Sequence, residues 1–276
     1  GITADAAAAL VEKKEGVTVF NSLSFDRKAL ITLPEEYADG AAKADGTAVP
    51  VQKTAEGVKA LVSLPSCGAV SLYPEAGELP AAETDAAKAA AKAERACIRK
   101  TEDGFVMENG LVSARINGRG EVVSFRLKKE NGTADGLSRE YAAGPMNRLR
   151  LFKDVPRKFD AWDIDSNYVC QEIQGAYDVE LEPVEEGLEA VLKATGKISQ
   201  SSYTQYIRLA ADSRRLEFEM IVDWKELHRL LKAAFPVNVY AENGINEIQF
   251  GYVERPAHRS RPYDQERFEL CNHHYS

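Results

Sequence analysis

Over most of this chain apolar and polar residues alternate at period two, the pattern of strands that turn one face to a core and the other to water. Val17–Phe20 and Lys28–Leu33 read as the first two strands, the second stopped by Pro34. Asp45-Gly46 before Val49-Pro-Val-Gln52 marks a hairpin, and Gly57–Leu64 and Gly68–Tyr73 supply two more strands. Short strands at this spacing predict a small antiparallel β-sandwich over residues 16–75.

Two stretches break the alternation. Residues 1–15 are rich in alanine and charge and run into Gly16, so they read as the end of a helical domain capped by glycine. Residues 76–96 have strong helix formers but no apolar stripe larger than alanine, and read as a linker or a surface helix. From Cys97 the strand pattern returns and holds to the end. Phe105–Ile116 reads as strand, Asn109-Gly110 turn and strand, and Glu121–Leu127 pairs back after the Asn117–Gly120 turn. Tyr177–Leu181, Leu188–Ala194, Ser202–Leu209 and Leu216–Asp223 alternate in the same way. Lys225–Lys232 has helical propensity, but in this setting a turn leading into a strand over Leu230–Val239 is expected. The expectation is therefore an all-β chain, with the small sandwich followed by a large antiparallel sandwich over residues 97–276.

Composition narrows the function without naming it. The chain has 276 residues, 44% hydrophobic and 28% charged, with a net charge of −8. That balance argues against nucleic acid and against an anionic membrane surface as partners. No apolar run approaches the roughly 20 residues that span a bilayer. Cys67, Cys97, Cys170 and Cys271 are widely spaced and form no C-x-x-C pair, so free thiols in a reducing compartment are expected. The chain begins at Gly1 with no signal peptide, which reads as a piece of something longer.

Two stretches carry candidate chemistry. Arg157–Tyr168 places Trp162 among Asp160, Asp163 and Asp165. An indole stacks on the apolar face of a pyranose while carboxylates accept bonds from its hydroxyls, so Trp162, Asp160 and Asp163 are candidate sugar contacts. The plainer alternative makes Trp162 a core plug and the aspartates turn formers. Glu254–Asp264 holds two prolines and three arginines and reads as a stiff polar loop, with Arg255 and His258 able to reach sugar hydroxyls or to pair with aspartates; the plainer alternative is a solvated loop crossing the sandwich. Adjacent His273 and His274 point to opposite faces of a strand and chelate one metal poorly. Neither a metal-ligand pattern nor a catalytic set stands out.

Several blocks in order resemble the retaining α-mannosidases of glycoside hydrolase family thirty-eight. They are Val19–Arg27, Phe159-Asp-Ala-Trp-Asp-Ile-Asp165, Val222–Glu226, Leu230–Val237 and Phe250–His258 with Arg267-Phe-Glu269. The Asp-Ala-Trp-Asp form is most similar to the cytosolic and vacuolar branch and its bacterial relatives, and with free thiols in a reducing compartment a cytoplasmic location is expected. The resemblance implies that the zinc, the aspartate nucleophile and the acid lie in an upstream catalytic barrel and helical domain, the partners of this region, with none of them here. It also implies that residues 97–276 form a galactose-mutarotase-like supersandwich truncated at its C-terminal end. The region would then be non-catalytic and inactive alone, within an enzyme that removes terminal α-linked mannose from oligosaccharides. Trp162 looks like the aromatic that a loop of the large β-domain lends to the sugar pocket. An independent carbohydrate-binding or structural β-sandwich module is the other reading.

Overall fold

Proline and glycine punctuation sets the strand ends of the first half. The computed structural model describes residues 16–74, 95–128, 139–160 and 162–275. The helix end expected over 1–15 and the linker expected over 76–96, apart from its last two residues, lie outside them. Strands β1 (Val17–Phe20), β2 (Arg27–Leu33), β3 (Ala41–Lys43), β4 (Ala48–Val49), β5 (Val51–Thr54), β6 (Gly57–Leu64) and β7 (Ala69–Pro74) form two antiparallel sheets, β1-β7-β3-β4 and β2-β6-β5. Pro34 ends β2, and the 3₁₀ turn Glu35–Tyr37 that follows drops Tyr37 fully into the core beside Val58, Val62 and Leu72. Its hydroxyl accepts from the Val17 amide and donates to the Leu72 carbonyl, both at 2.9 Å, and so ties β1 to β7. The Asp45-Gly46 turn closes the hairpin between β3 and β4, as the sequence implies.

The central strand β6 is buried on both faces, which its alternation alone does not foretell. Val58, Ala60, Val62 and Leu64 fill the core of the two sheets. Lys59 and Leu61 point the other way and are only 4% and 5% exposed. They meet the rest of the chain. Gln52 of β5 extends to the 186–188 turn, where its Nε2 donates to the Glu186 carbonyl at 2.9 Å and its Oε1 accepts from the Leu188 amide at 2.6 Å. Gly187 makes this approach feasible, since a Cβ there would sit 2.1 Å from the Gln52 Oε1.

Beyond Ala96 the chain builds sheet β11-β10-β9-β8 from β8 (Cys97–Thr101), β9 (Gly104–Glu108), β10 (Val112–Asn117) and β11 (Val122–Leu127). Strand β12 (Arg148–Lys153) comes next. A four-stranded meander then follows: β13 (Tyr177–Glu185), β14 (Glu189–Ile198), β15 (Ser201–Ala210) and β16 (Glu217–Asp223). Inward residues of the two sheets, among them Met107, Ile116, Leu192, Ile207 and Leu209, form one buried cluster. Strand β12 pairs with β17 (Arg229–Ala234), and their Leu151 and Leu231 pack with Ile198 and Tyr203 of the meander in a second cluster.

Each described element from 97 onward is a strand, a turn or a short helix, so the all-β expectation holds. Some details differ. The strand expected over Leu230–Val239 ends at Ala234, two residues before Pro236. Strand β12 and the hairpin of β18 (Asn243–Ile248) and β19 (Gly251–Pro256) were not anticipated. The expected polar loop over Glu254–Asp264 is not all loop. Its first three residues finish β19, and Pro262 opens a one-turn helix α1 (Pro262–Glu266), where proline's fixed φ and missing N–H are tolerated. His273 and His274 lie outside any strand.

Candidate functional site

The Trp162 stretch is the crown of a closed loop. It leaves β12 at Lys153 and returns beside the same strand. The Lys153 amide donates to Gln171 at 3.0 Å and the Ile173 amide donates to Leu151 at 2.7 Å, so the two ends of the excursion are clamped together. Loops with joined ends and their own internal packing hold shape without belonging to a sheet.

Tyr168 anchors the base. It sits in the 3₁₀ turn Ser166–Cys170, is 7% exposed, and meets the Phe152 ring edge-on at 5.0 Å. Its hydroxyl donates to the Glu269 carboxylate, which also pairs with the Lys232 ammonium. The ammonium lies 5.0 Å from the centre of the Tyr168 ring. Burial opposes ionisation of Glu269, but the hydrogen bonds from Lys232 and Tyr168 outweigh it and hold its carboxyl below the usual range. Burial and the bond to Glu269 both push the Tyr168 phenol up.

At the crown Phe159 adopts a left-handed φ of +60°, uncommon for a bulky residue. Its carbonyl accepts from the amides of Trp162 at 2.8 Å and Asp163 at 3.0 Å. This tight turn directs two rings outward: Trp162 is 91% exposed and Phe159 is 72% exposed. The core-plug alternative for Trp162 is thereby set aside, and Tyr168 takes that part. Asp160 and Asp163 are exposed beside the indole, and Asp163 accepts from the Ile164 amide at 3.0 Å through Oδ1. Apolar rings flanked by solvent-facing carboxylates can stack on and hydrogen-bond to a sugar.

Arg255 and His258 occupy a different part of the chain. Arg255, on β19, donates through Nη1 to the Cys271 carbonyl at 3.0 Å. Arg259 donates to the Phe268 carbonyl at 3.3 Å. The stretch they secure carries Phe268, whose ring centre is 6.3 Å from that of Tyr168, and Glu269. Arg255 thus supports the segment that buttresses the loop. His258 is exposed near α1, where the Arg261 bond at 2.8 Å holds the Asp264 carboxyl below the usual range. Sequence reasoning missed Phe159, Lys232 and Glu269 as parts of this assembly. Only Tyr168, the end of the aromatic and acidic stretch, carried any local signal.

Residues 107–276 match the family model described as the glycosyl hydrolases family 38 C-terminal domain. The chain belongs to that family. Alpha-mannosidase 2C1 of Homo sapiens is 29% identical over 181 residues, which cover 64% of this chain and 17% of that protein. Alpha-mannosidase G of Dictyostelium discoideum is 29% identical over 178 residues, covering 62% of this chain and 16% of that protein. The chain spans about a sixth of the length of these family 38 relatives. An alpha-mannosidase crystal structure from Enterococcus faecalis V583 has the same fold over 88% of this chain and 34% of its own, with a TM-score of 0.55 at 12% identity. The chain is therefore a glycosidase-family β-region. Among its described residues no group of three or more His, Cys, Asp and Glu side chains has the arrangement to hold a metal ion. No helix among them is long and apolar enough to cross a membrane.

Proposed function

We propose that this chain is the non-catalytic β-region of a zinc-dependent, retaining α-mannosidase of the cytoplasm, one that removes terminal α-linked mannose from oligosaccharides. In this reading the Trp162 loop forms part of the wall of the sugar pocket. The observation that carries it is the presentation of Trp162, 91% exposed on a loop whose base is buried and bonded. An indole left in water costs the fold its burial energy, so a loop built to hold one there implies an external partner surface. In this reading zinc, nucleophile and acid belong to an upstream barrel and helical domain of the longer enzyme. The chain alone is then inactive, and its own part is to hold the sugar face while chemistry proceeds elsewhere.

The test pairs two proteins on an aryl α-mannoside with added zinc. The chain alone should be inactive and the full-length enzyme active. In the full-length enzyme Trp162→Ala should lower kcat/KM at least tenfold with the melting temperature kept, about 1.4 kcal/mol of transition-state binding. Unchanged kinetics would reduce Trp162 to a structural residue, and activity in the chain alone would overturn the assignment.

A further inference from the structure

Three tyrosines are buried among the described residues: Tyr37, Tyr168 and Tyr203. The first two donate their hydroxyls, to Leu72 and Glu269. Tyr203 does not. It is 4% exposed, on the inward face of β15, and its hydroxyl has no hydrogen-bond partner among the described residues. No fully enclosed side-chain polar atom among the described residues lacks a partner, so this hydroxyl touches open space. A buried phenol with no partner in the protein takes its bond from whatever fills that space.

The open space is a cavity of about 420 Å³. It lies between the Asn117–Glu121 turn, the start of β12, the entry to β13, and β15. Gly196 faces Tyr203 across the β14–β15 ladder, and a Cβ there would lie 2.9 Å from the phenol oxygen, so only glycine lets the ring lie flat at that point. Next along the wall, Gln205 and Asn147, each 4% exposed, exchange two amide hydrogen bonds of 2.8 and 3.0 Å. Asn147 spends its second N–H on the Gly120 carbonyl at 3.0 Å, but Gln205 keeps one N–H in reserve. Two lining residues that are not glycine take left-handed backbone, Asn147 at φ +58° and Asp178 at φ +49°.

The charges around the cavity choose the ligand class. Glu121 and Asp178 are matched by Arg119 and Arg148 on the same lining. Several of them already have partners: Glu121 accepts from Asn117 at 2.8 Å, Asp178 pairs with Lys197 at 3.4 Å, and Arg148 pairs with Glu172 at 3.6 Å. A lining without net charge has no preference for anion or cation, but it is rich in donors and acceptors. Burial and the nearby Glu121 charge both push the Tyr203 phenol up, so it stays protonated and able to donate. A neutral molecule with several hydroxyls and an apolar ring face fits these features, and the volume lies in the range of small-ligand sites.

We infer that the cavity beside Tyr203 and Gln205 is a binding site for a single pyranose unit, which supplies the hydrogen-bond partner that the Tyr203 hydroxyl lacks. The site stands independently of the reading of the Trp162 loop. The test is titration of methyl α-D-mannopyranoside and methyl β-D-galactopyranoside into the isotopically labelled chain, followed by amide chemical shifts. At least one pyranoside should saturate shifts at Tyr203–Gln205 and Tyr177–Asp178. Tyr203→Phe should weaken its affinity at least about fivefold, the effect of one lost hydrogen bond, while Trp162→Ala should leave it unchanged. Should Tyr203→Phe lower the melting temperature, Glu121→Gln serves as the second variant with the same expected weakening. Absence of saturable binding by both sugars would overturn the proposal. So would binding that Trp162→Ala abolishes and that Tyr203→Phe and Glu121→Gln leave intact.

Discussion

Lys59 and Glu189 meet at 2.6 Å between Nζ and Oε2, 130 residues apart in sequence, with side chains only 5% and 10% exposed. The pair fastens β6 to the meander. Glu185 adds a second carboxylate to Lys59 at 3.1 Å, and Arg208 reaches Glu189, Glu56 and Glu219, each at 3.2 Å. Removing one partner of a buried pair leaves the other charge without compensation, and that costs more than the pair contributes.

Lys59→Ala should therefore destabilise the chain by about 3 kcal/mol. It strands Glu185, which among the described residues keeps only Gln52 as a side-chain donor, whereas Glu189 keeps Arg208. Lys59→Met should cost less, because the apolar stem still fills the space against Leu61. Urea unfolding measures both, and a Lys59→Ala midpoint equal to that of the parent would refute the expectation.

Acid should unfold the chain through a limited set of carboxyls. Glu140 accepts from Ser124 Oγ at 2.6 Å and from the amides of Phe125 at 2.8 Å and Ala142 at 3.0 Å. Burial raises its pKa, but these bonds and Arg126 outweigh that, so the folded value lies below the ordinary 4.5. A depressed carboxyl contributes stability that is present above its unfolded pKa and is lost as pH falls through the folded one. Glu172 and Glu269 are depressed too, by Arg150 and by Lys232 with Tyr168. Melting temperature should be flat in this contribution above about pH 5 and fall below 4.5, and Glu140→Gln should shrink that fall. An unchanged acid slope in Glu140→Gln would show that its bonds carry no linkage.

Much of the strand plan was legible because a sheet with one wet face writes period two into the chain, as in Ser202–Leu209 and Leu216–Asp223. What failed had physical reasons. Strand β12 alternates only from Arg148 to Leu151 before Phe152 breaks the pattern. Strand β18 reads Asn-Gly-Ile-Asn-Glu-Ile, rich in residues that strands disfavour, and tertiary pairing with β19 overrides them. The Trp162 stretch was visible as chemistry, but a lone tryptophan among aspartates fits a plug as well as a platform. The left-handed turn at Phe159 and the anchoring of Tyr168 exclude the plug, and of the two only Tyr168, at the end of the aromatic and acidic stretch, leaves a local signal. The Tyr203 cavity was hidden for a different cause. Tyr203 and Gln205 sit where an alternating strand predicts core, and Asn147 is 58 residues away.

The loop base should control the crown. Tyr168→Phe keeps the ring against Phe152 but removes the bond to Glu269, about 1 kcal/mol of local support. Amide exchange over 154–165 should speed up, with little change in the global unfolding midpoint. Tyr168→Ala should do both, since it also empties a packed site at about 3 kcal/mol. Equal exchange rates in the parent and in Tyr168→Phe would separate Glu269 from the loop.

The hairpin β18–β19 presents apolar side chains to water, and association should follow. Phe250 at its turn is fully exposed, Tyr252 is 59% exposed and Ile245 is 49% exposed, with Tyr240 at 92% on the approach to β18. The hairpin forms a two-stranded sheet of its own; the outer edge of β18 is taken at Glu247 by the Tyr275 carbonyl and the His273 amide, at 3.0 and 3.2 Å, while no described strand covers the outer edge of β19. Open edges beside exposed rings are the elements through which chains pair. Sedimentation of the isolated chain should show mass rising with concentration, and Phe250→Asp should suppress it by adding charge at the turn where a partner strand would have to approach. Because Phe250 has nothing around it to lose, the melting temperature of a dilute sample should not change. A monomer at high concentration would mean that the flanking charges, Glu247 and Glu254 among them, already protect the edge.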